Sequence, residues 1–449
     1  MELVQQRAAE LSHQQQILRQ ELADWRKRTK KGTKLQKHFT QVLAITAKLD
    51  DFLDKIGEPD PAAVEPFKNY ERINRNLIGA HRVWAYFRSK LALREVDWLA
   101  DDLKCADELA WECYRPAREK AEAAGSIPAG GLKEPPLVFF SNDASPFAQA
   151  RHSVFEPEKI NEQGDVKRLG EALLLLPIPV IGVPWFQVNH LPMAVVVAHE
   201  VGHAVEHDFG LGKPLAEAFA ALPVADERKP AWSAWRHELF ADAYGVLCTG
   251  PAFVMALMHF LAGDPASVQQ ERVEGPAWGR YPNRYLRMLV GFELLRHLGI
   301  ADPEMEQTWR ETYQFHLMQT FDDDIPDVVT ALLDQPLEPF GSIPLKEVVS
   351  FGAADVARTQ VLADTIKRGS KLPLGEPFRK LYAAATTAYY TDPTTYTEKK
   401  AHKTVVERML LSIPPGVRSA AKTLTPAREA QIRVTYGQTG GELLDLFAG

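Results

Sequence analysis

The segment H-E-V-G-H at residues 199–203 constrains this chain more than any other part of its sequence. It lies within residues 193–207, a run with helical character. On an α-helix, two residues four apart lie about one turn (about 6 Å) and roughly 40° from each other, so two imidazoles can converge on one metal ion. Glu200 projects about 100° away from His199 and can reach a water molecule on the metal without ligating the metal itself. Gly202 costs a helix about 1 kcal/mol relative to alanine, which indicates close packing or room needed beside the metal.

This motif supplies only part of a metal site. H-E-x-x-H on a helix is the signature of zinc hydrolases, and a catalytic zinc ion takes three protein ligands and leaves a fourth position for water. His199 and His203 therefore need a third ligand from elsewhere. In one known class of zinc enzymes, a glycine and then a third histidine follow the motif. This chain has Glu206 and Phe209 at those two positions, so it lacks that pattern. His207 follows His203 at the same four-residue spacing. It is a poor candidate for the third ligand, because side chains from one helix cannot occupy three corners of a tetrahedron.

Glu238 is the better candidate for the third ligand. It lies on a second predicted helix, which starts after Pro230 and stops at Gly250-Pro251. Asp242 is four residues further on and faces the same way, so it can accept the Nδ1–H of a ligating histidine and fix its tautomer. An exposed acidic helix face is the alternative explanation for these two carboxylates.

The spacing of these residues resembles that of a known enzyme family. The chain resembles the gluzincin metallopeptidases, and most closely the group that includes the CAAX prenyl proteases, over roughly residues 190–290. The resemblance implies a zincin-type catalytic core with one Zn²⁺ per chain, and a Glu that acts as general base on the attacking water. The residues that carry it are His199, Glu200, His203, Glu238 and Asp242.

A third segment, Y-P-N-R-Y-L-R at residues 281–287, looks like the H-P-x-x-x-x-R segment that follows the third ligand in that group. Tyr281 stands where the group usually has histidine. Pro282 suits the first turn of a helix, which is predicted to run to about Leu298. Tyr281 would then point into a cleft and donate to a developing oxyanion, or it is a packed aromatic residue. Arg287 ties this helix to the acidic cluster, or it is an ordinary surface arginine.

Composition places the chain among soluble globular proteins. It has 449 residues, 45% apolar and 25% charged, and its three cysteines show no paired spacing, which fits a reducing compartment and buried thiols. The start lacks a signal-peptide pattern, and no apolar run approaches the ~18 residues of a membrane span. We expect a cytoplasmic enzyme, which departs from the membrane-embedded CAAX prenyl proteases.

The charge distribution does not predict a nucleic-acid partner. The net charge is −7, and residues 365–449 carry 13 Lys and Arg against 7 Asp and Glu. This mild basic excess lacks the density of a nucleic-acid-binding arm. We expect a peptide or protein substrate, and helical arms that gate the cleft, recruit a substrate or mediate self-association.

The predicted fold class is α+β and predominantly α-helical, with a small zincin-type core and a short sheet between N- and C-terminal helical regions. Strands are predicted at residues 137–140 and 173–183, before the motif helix. Gluzincins bind extended substrate along an open strand edge above the metal, by strand addition. The expected domains are a helical hairpin (1–60), a helical region (61–125), the metallopeptidase core (126–300) and a C-terminal helical region (301–449).

These observations favour a zinc metallopeptidase in which Glu200 acts as general base. Two other functions stay open: a catalytically silent, zinc-stabilised regulatory or scaffold protein, and a zinc amidohydrolase that acts on a non-peptide substrate. A purely structural site has no need of Glu200 and is usually closed by a fourth protein ligand. The shape of the cleft distinguishes a peptidase from an amidohydrolase. An open groove beside a strand edge suits peptides, and a closed pocket suits a small substrate.

Overall fold

The computed structural model of this chain describes residues 2–127, 133–149, 178–270, 273–274, 277–314, 319–414 and 426–437. These residues are mostly helical and include short strands, which confirms the prediction of a predominantly α-helical α+β fold. Within these ranges, no helix is both long enough and apolar enough to cross a lipid bilayer. The three cysteines are buried free thiols, as expected.

Long helices form the N-terminal part of the chain. Leu11, Leu18 and Trp25 recur every seven positions in the first helix, and all three are buried. They pack with the next two helices in one apolar cluster. The helices are α1 (Leu3–Lys27), α2 (Phe39–Ile56), α3 (Pro66–Ala92) and α4 (Asp97–Ala123).

A three-stranded sheet precedes the motif helix. Its strands are β1 (Leu137–Ser141), β2 (Phe147–Gln149) and β3 (Val180–Pro184), in the order β1-β3-β2. β1 and β3 are parallel and fully buried, with Leu137 opposite Val180, and β2 is antiparallel to β3. The strand predicted at 137–140 is confirmed. β3 covers the last part of the strand predicted at 173–183, and residues 173–177 lie outside the described residues.

The central helices carry the predicted site residues. The motif lies on a helix, as predicted, and the second ligand helix ends at Gly250, also as predicted. These elements are α5 (Leu191–Ala194), α6 (Val197–Asp208), α7 (Gly212–Ala220), α8 (Lys229–Thr249), α9 (Pro251–Leu261), α10 (Pro265–Gln269), β4 (Val273–Glu274), β5 (Ala277–Trp278) and α11 (Arg284–His297).

The C-terminal part of the described chain is helical apart from one short hairpin. Its elements are α12 (Pro303–Thr312), α13 (Gln319–Asp322), α14 (Ile325–Leu333), β6 (Pro336–Leu337), β7 (Ile343–Pro344), α15 (Leu345–Val348), α16 (Ala353–Lys367), α17 (Phe378–Thr391), α18 (Pro393–Glu398), α19 (Ala401–Ser412) and α20 (Pro426–Gly437).

Helix α17 connects this part of the chain to the central helices. It packs against α4, α5, α8 and α9, and its inner face is rich in small residues, Ala383, Ala384, Ala385 and Ala388, which are fully buried. The hydroxyl of Thr386 also donates a hydrogen bond of 3.0 Å to the Pro192 carbonyl in α5. Helix α17 therefore packs against α5, the segment that directly precedes the motif helix α6.

Helices α6 and α8 form the most extensive helix pair of the described chain. A Cβ placed on Gly202 would lie 2.9 Å from Ala241 Cα and 3.0 Å from Tyr244 Cβ. The glycine therefore lets the backbone of α8 approach α6 closely, which is the close packing that its helix-interior position indicated.

We expect Gly202→Ala not to stabilise the fold even though alanine favours helices. The gain in helix propensity is about 1 kcal/mol, whereas overpacking against a backbone atom costs about 1–3 kcal/mol, so the free energy of unfolding should fall or stay level. Denaturant unfolding measures this change.

The matched control for this prediction is Gly212→Ala, because a Cβ there meets no atom within 4 Å. It should leave the protein as stable as wild type or about 0.4–1 kcal/mol more stable. If Gly202→Ala stabilises the chain as much as the control does, the two helices do not depend on this close approach.

Candidate metal centre

Helix α6 presents His199 and His203 to the same point. The two residues lie one turn apart, and their Nε2 atoms are 3.2 Å from each other. His199 is buried and His203 is half-buried. The apolar residues around them, such as Val197 and Val201, are fully buried, so packing of the other faces of α6 sets the direction of both imidazoles.

Glu238 approaches the same point from helix α8. Its Oε2 atom lies 3.4 Å from His199 Nε2 and 3.5 Å from His203 Nε2, and the side chain is fully buried. These three residues form a group whose donor atoms all lie within 4.8 Å of one another, so the group can hold a metal ion. His207 is exposed, one turn further along α6, and is not a member of this group.

The spacing of the three donor atoms fits a tetrahedral metal site. With metal–ligand bonds of about 2.0–2.1 Å, two corners of a tetrahedron lie about 3.4 Å apart, and the observed distances are 3.2, 3.4 and 3.5 Å. Glu238 Oε2 is buried, and within the described residues it faces the two imidazole nitrogens without a well-formed hydrogen bond. A buried carboxylate oxygen without a donor is costly, so this atom fits a cation better than an apolar contact.

Asp242 and Arg287 orient His199 from behind. The Nδ1–H of His199 donates to Asp242 Oδ1 at 2.8 Å, and this bond leaves Nε2 as the atom that can bind a metal. Arg287 in turn donates to both oxygens of Asp242, at 2.6 Å and 2.8 Å. The structure thus brings both residues together behind the metal-facing group.

Electrostatics in this group favour opposite charges on the histidine and the acid. Burial alone lowers the pKa of His199, but the hydrogen bond to Asp242 and the facing carboxylate of Glu238 outweigh it and raise that pKa to about 10. Burial alone raises the pKa of Glu238, but the two facing imidazoles outweigh it and hold that pKa well below its ordinary value. Without a metal, a proton on His199 therefore compensates the carboxylate.

Glu200 lies beside the group but is not a member of it. The side chain is buried and lines a cavity of about 390 Å³ that His199 also lines. Burial, its largest influence, raises the pKa of Glu200 above the ordinary carboxyl value. A carboxylate with raised proton affinity next to a metal-binding group is suited to accept a proton from water.

Tyr281 also lines this cavity, half-buried. Its ring centroid lies 5.7 Å from the Arg280 guanidinium carbon and 5.5 Å from that of Arg287, and burial raises the pKa of its hydroxyl. Helix α11 begins at Arg284, two residues later than Pro282 would place it. Asn283 is the N-terminal cap of this helix, and its side chain accepts a hydrogen bond from the backbone N–H of Leu286. Pro282 therefore lies just outside the helix.

The sequence did not point to some of the residues at the site. Arg280 forms an ion pair with the second oxygen of Glu238, at 2.6 Å from Nε to Oε1, and the Phe253 ring stacks parallel to His199 at 6.3 Å. Arg280 directly precedes the Tyr-Pro segment, but no spacing rule connects it with Glu238. Phe253 lies on the helix after α8, and only the fold brings it to the histidine.

The cavity combines polar and apolar walls. The apolar part consists of Val196, Phe253, Leu257, Phe260 and Leu261, and the polar part includes Arg284 and Arg287 in addition to the residues described above. Ser145 and Pro146, which directly precede edge strand β2, also line it.

Comparisons of the chain with protein-family models, with curated proteins and with solved structures found no match. The resemblance to gluzincins therefore rests on the motif residues themselves.

We expect metal binding to weaken in a graded way when the group is altered. Glu238→Gln removes a charged ligand and should lose more affinity than Asp242→Asn, for which a loss of about 10–100-fold is typical of a residue that supports a ligand. Competition with a chromogenic chelator, with Zn²⁺ or Co²⁺ as the probe, measures both. His207→Gln is the matched control and should bind like wild type; full affinity in Glu238→Gln would exclude it as a ligand.

Metal affinity should also rise with pH. Below its pKa of about 10, His199 carries a second proton, which must leave before Nε2 can bind a metal, so the apparent association constant should increase about tenfold per unit between about pH 7 and pH 9. Chelator competition corrected for the chelator's own protonation measures this slope. Asp242→Asn removes a residue that raises this pKa and should flatten it. A flat profile in wild type would contradict the proton on His199.

Proposed function

We propose that this chain is a zinc-dependent metallopeptidase with a zincin-type catalytic core. The observation that carries the proposal is the meeting of His199, His203 and Glu238 at tetrahedral spacing, with Glu200 beside them on the wall of a cavity. A structural zinc site would be closed by a fourth protein ligand. Within the described residues no fourth His, Cys, Asp or Glu joins the group.

The donor set favours zinc over a hard cation. Two imidazole nitrogens and one carboxylate oxygen are a common set for catalytic zinc, whereas Mg²⁺ and Ca²⁺ prefer oxygen ligands. Zinc bound there would supply Lewis acidity, which polarises a carbonyl group and makes a water molecule acidic near neutral pH. We therefore propose one Zn²⁺ per chain.

Glu200 is the residue to which we assign proton transfer. Hydrolysis of a peptide bond consumes one water molecule, forms a C–O bond and breaks the C–N bond. Glu200 accepts the proton that the attacking water loses and delivers it to the leaving nitrogen. Its buried position beside the metal-binding group and its raised pKa support this role.

Tyr281 is the residue to which we assign oxyanion stabilisation. Its side chain lines the same cavity as Glu200 and has two guanidinium groups near its ring. A hydroxyl that stays protonated at neutral pH can donate a hydrogen bond to the oxygen of a tetrahedral intermediate. The raised pKa of Tyr281 supports a donor at all physiological pH values.

The nearby strand edge favours a peptide as the substrate. In the described part of the sheet, β2 is an edge strand that contacts α6, and the two residues before it line the cavity. An extended peptide can add to such an edge by backbone hydrogen bonds. A non-peptide amide is the second candidate, because the cavity volume of about 390 Å³ lies near the lower end of ligand pockets, about 300–1,000 Å³.

A silent scaffold is less compatible with the site. Glu200 is buried at the cavity wall, and a buried carboxyl group costs stability unless it is paired. A protein that only needs a metal for its fold gains nothing from this residue, whereas a hydrolase requires it.

The proposal predicts that Glu200→Gln retains zinc and loses hydrolysis. The amide cannot accept the proton from water, so turnover should fall by at least about 10²–10⁴-fold, the contribution typical of general acid–base catalysis. Metal analysis of the purified variant gives the zinc content, and mass spectrometry of a peptide mixture detects new termini.

Glu206→Gln is the matched control for this variant. Glu206 is a buried acid on the same helix, it pairs with His237 on α8, and it lies outside the metal-binding group. The control should keep both zinc and hydrolysis. Wild-type turnover in Glu200→Gln would overturn the assignment of the general base, and absence of new termini with zinc-loaded wild type would overturn the peptidase.

A further inference from the structure

A second cavity lies on another face of helix α9 from the proposed catalytic cavity. Its volume is about 350 Å³, near the lower end of the range of about 300–1,000 Å³ that is usual for small-molecule sites. Ala252 and Met255 of α9 line this cavity. Phe253 and Leu257 of the same helix line the proposed catalytic cavity instead. Helix α9 therefore separates the two cavities, and no step of the proposed hydrolysis uses the second one.

Part of the wall of this second cavity is apolar and closely packed. Met255, Ile300 and Phe351 line it, and Ile300 and Phe351 are buried. The Phe351 ring lies against the backbone between α8 and α9, because a Cβ placed on Gly250 would be 2.5 Å from its Cδ1 atom. This packing fixes the shape of the wall, which can take up the apolar part of a ligand.

Thr359 supplies a polar group that the fold does not use. It lines the cavity and is only 6% exposed, and its hydroxyl oxygen has no hydrogen-bond partner among the described residues. Thr249, another threonine on the wall, differs, because its hydroxyl donates to the Gly245 carbonyl at 3.2 Å. An unpaired buried hydroxyl costs free energy, and a ligand with a hydrogen-bonding group would offset that cost.

The charged residues on the wall are acidic. Asp302 and Glu304 line the cavity, and the described residues that line it include no lysine, arginine or histidine. One oxygen of Asp302 accepts the Met305 N–H at 3.1 Å and caps helix α12. Within the parts of the chain that the structure describes, neither carboxylate has a cationic partner. Glu306, on the same helix but outside the cavity, pairs with Arg296 at 2.6 Å. A cleft lined by charges of one sign attracts ligands of the opposite sign.

We propose that this cavity is a binding site for a small organic cation, a protonated amine on an apolar body. The ammonium group pairs with the carboxylates of Asp302 and Glu304. The apolar body packs against Met255 and Phe351, and the Thr359 hydroxyl completes the site with a hydrogen bond.

A bare metal ion fits this cavity less well than an organic cation. Among the described residues, Asp302 and Glu304 do not belong to a group of converging metal-ligand atoms, and an apolar wall offers a metal ion no ligands. The assignment does not depend on the proposed peptidase function, because the second cavity contains none of the residues to which that function is assigned.

Titration of the whole chain with matched small amphiphiles tests the site. Met255 lines the cavity, so its methyl group, labelled with ¹³C, reports occupancy by nuclear magnetic resonance. Met255→Leu identifies its signal among those of the eight methionines. The probes are phenethylamine, phenethyl alcohol and hydrocinnamate, which share a ring and have similar lengths but are cationic, neutral and anionic at neutral pH.

The amine should shift the Met255 signal and saturate it. We expect a dissociation constant on the order of 1 mM, which is typical of so small a ligand. The alcohol should bind about 5–10-fold more weakly, because it cannot form a charge-assisted hydrogen bond with a carboxylate from a cationic donor. The anion should bind more weakly still.

Substitutions that remove charge assign this preference to the two acids. Asparagine is also a good helix cap, so Asp302→Asn together with Glu304→Gln removes both charges and keeps the cap of α12. This variant should bind the amine and the alcohol about equally. Thr359→Val should weaken binding of the amine about 2–10-fold, as expected for the loss of one hydrogen bond. Glu311→Gln is the matched control, since Glu311 is an exposed acid on α12 outside the cavity, and it should keep the full preference for the amine.

Equal affinity of the wild-type protein for the amine and the alcohol overturns the assignment. Absence of a saturable shift of the Met255 signal at about 10 mM amine, about ten times the expected dissociation constant, also overturns it. So does a preference for the amine that persists when both Asp302 and Glu304 are neutralised, because the cation is then bound elsewhere.

Discussion

The close approach of helices α6 and α8 is the constraint on which the site depends. His199 and His203 lie on one helix and Glu238 lies on the other, and Gly202 allows the two backbones to meet at Ala241. Without that approach, the carboxylate oxygen could not lie 3.4–3.5 Å from both imidazoles. The metal-binding group is thus a consequence of helix packing, and the packing itself depends on a residue that has no side chain.

Charge compensation then determines the order in which the polar residues are arranged. Moving outward from the metal-facing group, a carboxylate, an imidazole, a carboxylate and a guanidinium follow one another: Glu238, His199, Asp242 and Arg287. Each of these four buried groups faces a group of opposite charge, which limits the cost of burying them together. The Arg280 guanidinium pairs with the other carboxylate oxygen of Glu238, Oε1. Arg284 lies on the cavity wall and does not take part in this network.

Sequence reasoning identified the parts of the site that follow local periodicity. The motif helix, the second ligand helix and the four-residue step from Glu238 to Asp242 all depend on helix geometry, so they could be predicted from spacing. The roles of Arg280 and Phe253 could not, because they depend on where distant segments pack. Pro282 indicated a helix start two residues early, since Asn283 provides the cap. Strand β2, only three residues long, left no recognisable pattern, and the strand order also depends on long-range pairing.

The alanine-rich face of α17 has a consequence for how this protein can be divided. This helix packs against α5 and α9 and donates a hydrogen bond to Pro192, a few residues before the metal-binding helix. The group that can hold a metal ion therefore depends on packing from outside residues 190–290. Removal of the chain after α11 would take away helix α17 and expose the apolar surface that it covers on α5, α8 and α9, so the C-terminal helices belong to the same folded unit as the metal-binding group.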